Sequence, residues 1–273
     1  MYDLIITEKP SSAKKIVDAL SDSKPIVEKK NGVGIWKISH NKKDVVVVSA
    51  VGHLYSLTEK EKSFKYPSYD IEWKPAGDVD KKAAFSKKYL TVIKQLSKGA
   101  ASFTVACDYD IEGEVIGLNI IRYACKQKDA SRMKYSTLTK DDLIYSYEHK
   151  QPTIDWGQAL AGETRHYLDW LYGINLSRAL TLAIKKTGRF KIMSSGRVQG
   201  PALKILVDKE KEIRAFVPVP YWQLTMLGEY NNKTIETLHE TEKFWEETDA
   251  KKRYKKIKDE KIAKVSNITR KKF

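Results

Sequence analysis

The chain is 273 residues long and 41% hydrophobic, enough for one large domain or two smaller ones around a buried core. Its 50 Lys and Arg against 35 Asp and Glu give a formal charge of +15, which points to a polyanionic partner, nucleic acid first. The sequence has no apolar run near the length of a membrane span, no basic-then-apolar amino terminus, and only two cysteines, so it argues against a membrane protein, a signal peptide, a disulfide framework and a zinc-cysteine site.

In chain order, Leu4 to Thr7 is a short apolar run followed by Glu8, Lys9, Pro10, Ser11 and Ser12, then by Ala13, Ile16, Val17 and Leu20 at helical spacing. This predicts strand, loop and helix, with Pro10 and the serines at the helix start. Glu8 and Lys9 therefore sit at a strand's end, where an open parallel sheet binds its ligands; taken alone such a pair is more often a solvated loop, and the matching acids at a second strand end are what raise it. Asn31-Gly-Val-Gly34 reads as a hairpin turn. Val45 to Val48 reads as a strand buried on both faces, with His53 just past its end as either a structural residue or a phosphate or base contact. Lys60 to Asp80 reads as a long polar loop, and Lys82 to Ser97 as a helix.

The most informative stretch is Ala101 to Lys126, in which the apolar run Phe103 to Cys107 leads into Asp108, Asp110, Glu112 and Glu114 and then into a helical pattern. On an extended backbone, residues two apart share a side, so Asp108, Asp110 and Glu112 are expected to converge at the strand's end. A hard divalent cation such as Mg²⁺ offsets the repulsion of converging carboxylates. The alternative is that these acids favour the positive end of a helix. Gly113 among them points to close backbone approach to a ligand. Alternating strands and helices over residues 1–150 predict a doubly wound α/β domain with a parallel, Rossmann-like sheet.

After Gln151-Pro152 the pattern becomes helical, over Ala159 to Tyr172 and Leu176 to Lys186, with Arg165, His166, Asp169 and Arg178 beside the apolar stripe. Strand-like runs resume only near Pro218. Between them, Ser194, Ser195, Gly196, Arg197, Val198 and Gln199 open a further helix, where free backbone N–H groups and the Arg197 and Gln199 side chains can meet phosphate; an ordinary serine-capped helix is the plainer reading.

Five segments together resemble the type IA DNA topoisomerases, particularly their archaeal topoisomerase I and topoisomerase III branch: LIITEKPSSAKKI, SAVGHLYSL, ACDYDIEGEVIG, ETRHYLDWLYGINLSRALT and SSGRVQGPALKILVDKEKEIRAFVPVPYW. The first and third alone resemble a Toprim domain. The resemblance implies a Toprim domain over 1–150, a helical DNA-binding region over 151–216 and the beginning of a β-rich arch domain over 217–273. It implies that Glu8 handles the proton of the departing 3′ oxygen and also touches metal, and that Lys9 lies near the scissile phosphate. Asp108, Asp110 and Glu112 match an acidic triad for Mg²⁺. His53, Arg165, Asp169 and the segment Ser194 to Gln199 match contacts to single-stranded DNA. The family attacks DNA with a tyrosine in a Tyr-x-Arg setting, and none of the 15 tyrosines here has Arg two positions later. The chain is therefore expected to be the amino-terminal part of an enzyme that relaxes negatively supercoiled DNA in the cytoplasm, on the nucleoid, with the nucleophile on a missing carboxyl-terminal part or a second subunit. Another Toprim enzyme, a primase or nuclease, and a non-catalytic basic DNA-binding module are the competing readings.

A net charge of +15 predicts that the chain binds single-stranded DNA with an affinity that falls as salt rises, at a log–log slope of roughly 0.7 per phosphate neutralised. Fluorescence anisotropy with a labelled oligonucleotide measures this. Affinity should drop for Arg197→Ala, and a salt-independent affinity would remove nucleic acid from the reading.

Overall fold

In the computed structural model, which describes residues 1–271, the apolar runs at Leu4, Val45 and Phe103 become neighbouring strands of one sheet. The elements in order are β1 (Tyr2–Thr7), α1 (Pro10–Leu20), β2 (Ile26–Lys30), β3 (Val33–His40), β4 (Lys43–Ser49), β5 (Tyr55–Glu59), β6 (Ile71–Pro75) and α2 (Ala76–Val79). There follow α3 (Ser86–Ser97), β7 (Ala100–Ala106), α4 (Ile111–Asn119), β8 (Ser131–Arg132), α5 (Lys140–Glu148), α6 (Trp156–Lys186), α7 (Gln199–Ala215), β9 (Thr225–Tyr230), β10 (Lys233–Leu238) and α8 (Glu247–Ile257). The chain divides into two units, Met1–Leu203 and Lys204–Phe273. Lys272 and Phe273, the end of the segment expected to begin an arch domain, lie outside the described residues.

The main sheet has the order β2-β3-β4-β1-β7-β8, with β4, β1, β7 and β8 parallel. Because side chains alternate along a strand, Leu4, Ile6, Val46 and Val48 face a core shared with Ile93, Val115 and Leu118 of α3 and α4. Ile5, Val45 and Val47 face the opposite core with Ile16 and Leu20 of α1 and Leu143 and Tyr147 of α5. Helices on both faces are the reason that Leu4 to Ile6 and Val45 to Val48 are apolar at consecutive positions. The expected doubly wound α/β architecture is thus present, with one difference: β2 and β3 run antiparallel at one edge, so the sheet is mixed. They are joined at Asn31-Gly32, whose φ values of 52° and 75° suit a tight hairpin turn. The exposed edge strand β2 ends in Glu28, Lys29 and Lys30, charges that discourage pairing with another chain.

Lys60 to Asp80 is not the structureless loop expected from its polarity. Ile71–Pro75 pairs antiparallel with β5 and buries Trp73, a five-residue strand too short to show periodicity between polar neighbours. The two helical stretches after residue 155 form one helix, α6, which continues through Gly173. At Gly162 a Cβ would lie 2.5 Å from the Val115 side chain and 2.6 Å from the Ile111 carbonyl oxygen, so glycine is what lets α6 lie directly on α4. Among the described residues no helix is long and apolar enough to cross a membrane.

In the second unit, β9 and β10 form a hairpin turned at Asn231-Asn232, both with positive φ, and Trp222 bridges Phe244 through reciprocal backbone hydrogen bonds of 2.8 and 2.9 Å. Strands in this region begin at Thr225.

Arg178 of α6 holds Glu59 at the end of β5 through two hydrogen bonds of 2.6 and 2.9 Å, and the Ser68 hydroxyl donates a third of 2.6 Å. The Arg178 guanidinium foremost, helped by Ser68 and opposed by burial, draws the Glu59 carboxyl down to about 2. A carboxyl depressed on folding stabilises the native state above its ordinary titration range and loses that contribution as pH falls towards the folded value. Arg178→Ala is expected to cost about 3 kcal/mol at neutral pH and to flatten the loss of stability between roughly pH 5 and 2. Denaturant midpoints measured across that range test both statements.

Candidate functional site

Strand register brings the candidate residues together. Thr7 of β1 pairs with Ser49 of β4 and Ala106 of β7, so the segments that follow all leave the same edge of the sheet. These segments carry Glu8 and Lys9, Val51 to His53, and Asp108 to Glu112, in the crevice where open α/β sheets bind ligands.

Lys9 lies between two of the acids, with Nζ 2.7 Å from Asp108 Oδ2 and 3.3 Å from Glu8 Oε1. The hydrogen bond to Asp108, with Glu8 second, raises the ammonium above its ordinary pKa, so it stays charged. Glu8 is the more enclosed of the acids, its side chain 15% exposed. The expectation that Asp108, Asp110 and Glu112 share one side of an extended strand is not met, because β7 ends at Ala106 and α4 begins at Ile111. Asp110 is the N-cap of α4, its Oδ1 accepting the Gly113 N–H at 2.7 Å. Glu112 is in the first turn and, on a helical rather than an extended step, turns towards α6. Gly113 answers a different need from the one inferred from sequence: a Cβ there would lie 2.1 Å from the Asp108 carbonyl oxygen, so the close approach is to the chain's own backbone.

Around Glu112 a second group assembles. His53 Nε2 and His166 Nε2 lie 3.1 and 2.9 Å from its Oε2, and Arg165 Nη1 lies 3.3 Å from its Oε1. The His53 and His166 rings are 5.0 Å apart, and Trp73 packs 5.5 Å from His166. Burial first, then the neighbouring His166, lowers the His53 pKa against the pull of Glu112. Val51 presents His53 from a backbone with φ of 57°, a conformation that a β-branched residue rarely holds, followed by Gly52 at 88°. From Arg165 the charges continue to Asp169, 3.7 Å away, and on to Arg197, whose Nε donates to Asp169 Oδ1 at 2.6 Å and holds that carboxyl below its ordinary pKa.

The segment Ser194 to Gln199 lies against α6. The Ser195 N–H donates to Ser177 Oγ at 3.0 Å, and the Met193 N–H donates to Thr181 Oγ1 at 3.1 Å. Arg197 points back to Asp169, whereas Val198 is 67% exposed and Ser194 and Gln199 are also exposed.

Two residues have a place in the site that the sequence reading did not give them, His166 being named there without a role and Arg132 not named. His166 sits beside Arg165 with no pattern of its own, and only the pitch of α6 puts it opposite His53. Arg132, in the polar run after α4, is fully buried: Nε meets Glu114 Oε1, Nη1 donates to the carbonyls of Cys107 at 2.8 Å and Met133 at 2.9 Å, and Nη2 donates to that of Asp108 at 2.9 Å. Glu114, which in sequence is one more acid of the junction, is therefore a buried partner shielded from solvent. Burial raises its pKa, with Arg132 opposing.

Glu8, Asp108 and Asp110 supply oxygen ligands alone, the chemistry that suits a hard divalent ion, and Asp110 stands exposed at the loop's outer side. By contrast, the three metal-ligating side chains whose ligand atoms lie within 4.8 Å of one another, among the described residues, are His53, Glu112 and His166.

Two family models match the chain, that of the Toprim domain over residues 3–138 and that of DNA topoisomerase over residues 153–273. It is 46% identical over 268 residues to DNA topoisomerase 1 of Pyrococcus horikoshii, which covers 97% of this chain and 39% of that protein. Its identity to DNA topoisomerase 1 of Methanocaldococcus jannaschii is 50% over 270 residues, covering 98% of this chain and 35% of that protein. Among solved structures, full-length topoisomerase I from Thermotoga maritima superposes with a TM-score of 0.61 at 23% identity, over 91% of this chain and 37% of that one, a likeness of fold. The chain thus spans well under half the length of these relatives.

Removing Arg132 leaves Glu114 buried without its counter-charge, and breaking such a pair costs about 3–5 kcal/mol. Arg132→Met is expected to lose that much stability, and adding Glu114→Gln should recover part of it. Equilibrium unfolding of the two single variants and the double variant gives the coupling; no coupling would mean that the pair does not hold the junction.

Proposed function

The chain belongs to the type IA DNA topoisomerase family, and we propose that it is the amino-terminal, metal- and single-stranded-DNA-binding part of such an enzyme. The whole enzyme would relax negatively supercoiled DNA by transient breakage of one strand and passage of the other. The observation that carries this reading is the placement of Lys9 between Glu8 and Asp108 at the carboxyl edge of the sheet, beside the Arg165–Asp169–Arg197 run. Transesterification at phosphorus needs charge stabilisation and placement, with proton transfer at the departing oxygen.

In this scheme Lys9 holds the scissile phosphate, and Glu8, enclosed and within reach of the same ammonium, moves the proton of the 3′ oxygen. Asp108 and Asp110, with Glu8 beside them, would hold Mg²⁺, which when bound would supply additional positive charge against the phosphate backbone. Glu112, which the resemblance adds to that set, would have to leave its imidazole partners to reach it. His53, Arg165, Asp169 and Ser194 to Gln199 line the path of the single strand, with Arg197 offering its guanidinium to phosphate and the exposed Val198 an apolar surface to a base. Residues 1–150, 151–216 and 217–273 are then the Toprim domain, the helical DNA-binding region and the beginning of the arch. The attacking tyrosine comes from a carboxyl-terminal part, in the same chain or in a second subunit. A primase or nuclease reading is disfavoured by the DNA topoisomerase match over residues 153–273.

Residues 1–273 alone should form no SDS-stable protein–DNA adduct and relax no plasmid, because positioned charge cannot replace an absent nucleophile. Adding the carboxyl-terminal part of a relative should restore both, with relaxation requiring Mg²⁺ and both activities lost in Glu8→Ala. Mn²⁺ binding followed by electron paramagnetic resonance should lose one equivalent per chain in the Asp108→Ala, Asp110→Ala double variant. An adduct formed by this chain alone, or Mn²⁺ binding indifferent to that double change, would overturn the assignment.

A further inference from the structure

We propose that His53, Glu112 and His166 form a site for a divalent transition-metal ion of the Zn²⁺ type, separate from the oxygen-only acids that suit Mg²⁺. Two imidazole nitrogens and one carboxylate oxygen are the ligand set of borderline ions, whereas magnesium prefers oxygen alone. The distances already approach a coordination shell. The two Nε2 atoms lie 3.1 and 2.9 Å from Glu112 Oε2, and all three ligand atoms fall within 4.8 Å of one another, so an ion bonded at about 2.0–2.1 Å needs only small side-chain shifts.

The surroundings also hold the ligands in place. Gly52 and Val51 fix His53 through their left-handed backbone, Trp73 packs against the His166 ring, and Arg165 engages Glu112 through Oε1, leaving Oε2 to the imidazoles. Each of the three side chains is about a third exposed, which leaves room for water or a phosphate oxygen to complete a four-coordinate ion. Arg165 supplies a neighbouring positive charge and so weakens the site, which therefore binds less tightly than a closed structural zinc centre. The inference stands on the positions of these three side chains and does not require DNA cleavage; Glu112 is the one residue it shares with the proposed Mg²⁺ set.

The test is calorimetric titration of the intact chain with ZnCl₂ in excess Mg²⁺, paired with the visible absorption of bound Co²⁺. One Zn²⁺ per chain is expected. His166→Ala and His53→Ala should each weaken it by more than about 100-fold, since removing even a hydrogen-bond partner of a metal ligand costs roughly 10- to 100-fold. Asp108→Asn should leave Zn²⁺ binding unchanged. His166→Cys should retain the ion and add a thiolate-to-cobalt charge-transfer band, a signature that altered folding cannot produce; circular dichroism melts in chelator confirm that the variants are native. Absence of stoichiometric Zn²⁺ binding, binding equal in His166→Ala, or loss of binding in Asp108→Asn would each reject the site.

Discussion

Arg132 is fully buried, and its guanidinium is shared between Glu114 and the carbonyl oxygens of Cys107, Asp108 and Met133. Burying a cation is unfavourable unless its donors are satisfied, and here nearly all of them point at oxygens. Two of these carbonyls, those of Cys107 and Asp108, belong to the bend between β7 and α4, so the charge gathers that bend around itself. Gly113 allows the same compression from the other side, where its missing side chain admits the Asp108 carbonyl. A bend held this way presents Asp108 and the Asp110 cap at a fixed height above the sheet, and the Lys9 ammonium is held by the first of them.

The chain is strongly basic, yet the crevice is built from pairs of opposite sign. Lys9 sits with Glu8 and Asp108, Arg165 with Glu112 and Asp169, and Arg197 with Asp169. Each pair is partly exposed and individually weak in water, so a polyanion can exchange its phosphates for the carboxylates at little cost. Exchange of partners, rather than creation of new charge, is what an arrangement of this kind offers an incoming strand.

Much of the fold was legible in the sequence because its signals were strong: an uninterrupted Val45 to Val48, the apolar run before Asp108, and helical spacing after Pro10. The strand Ile71–Pro75 was not, since five residues between polar neighbours show no period. At the site, Glu8, Lys9 and Asp108 follow from strand ends, which register alone brings together. The placing of Asp110 and Glu112 went astray because an extended step was carried past the point where the helix begins. The roles of Arg132 and His166 were illegible for a plainer reason, as they arise from contacts with residues 18 and 54 positions away. A basic residue in a polar run gives no sign that it will be buried.

The length of α6 has one more consequence. Arg165 and His166 near its start face Glu112, while Ser177 and Thr181 further along fasten the segment that carries Ser195 and Met193. From residue 165 to residue 177 is twelve steps, about 18 Å of continuous helix. One unbroken helix therefore ties the two basic side chains at Glu112 to the segment that carries Ser195, and Gly162, where α6 rests on α4, is where that shared support meets the acidic junction.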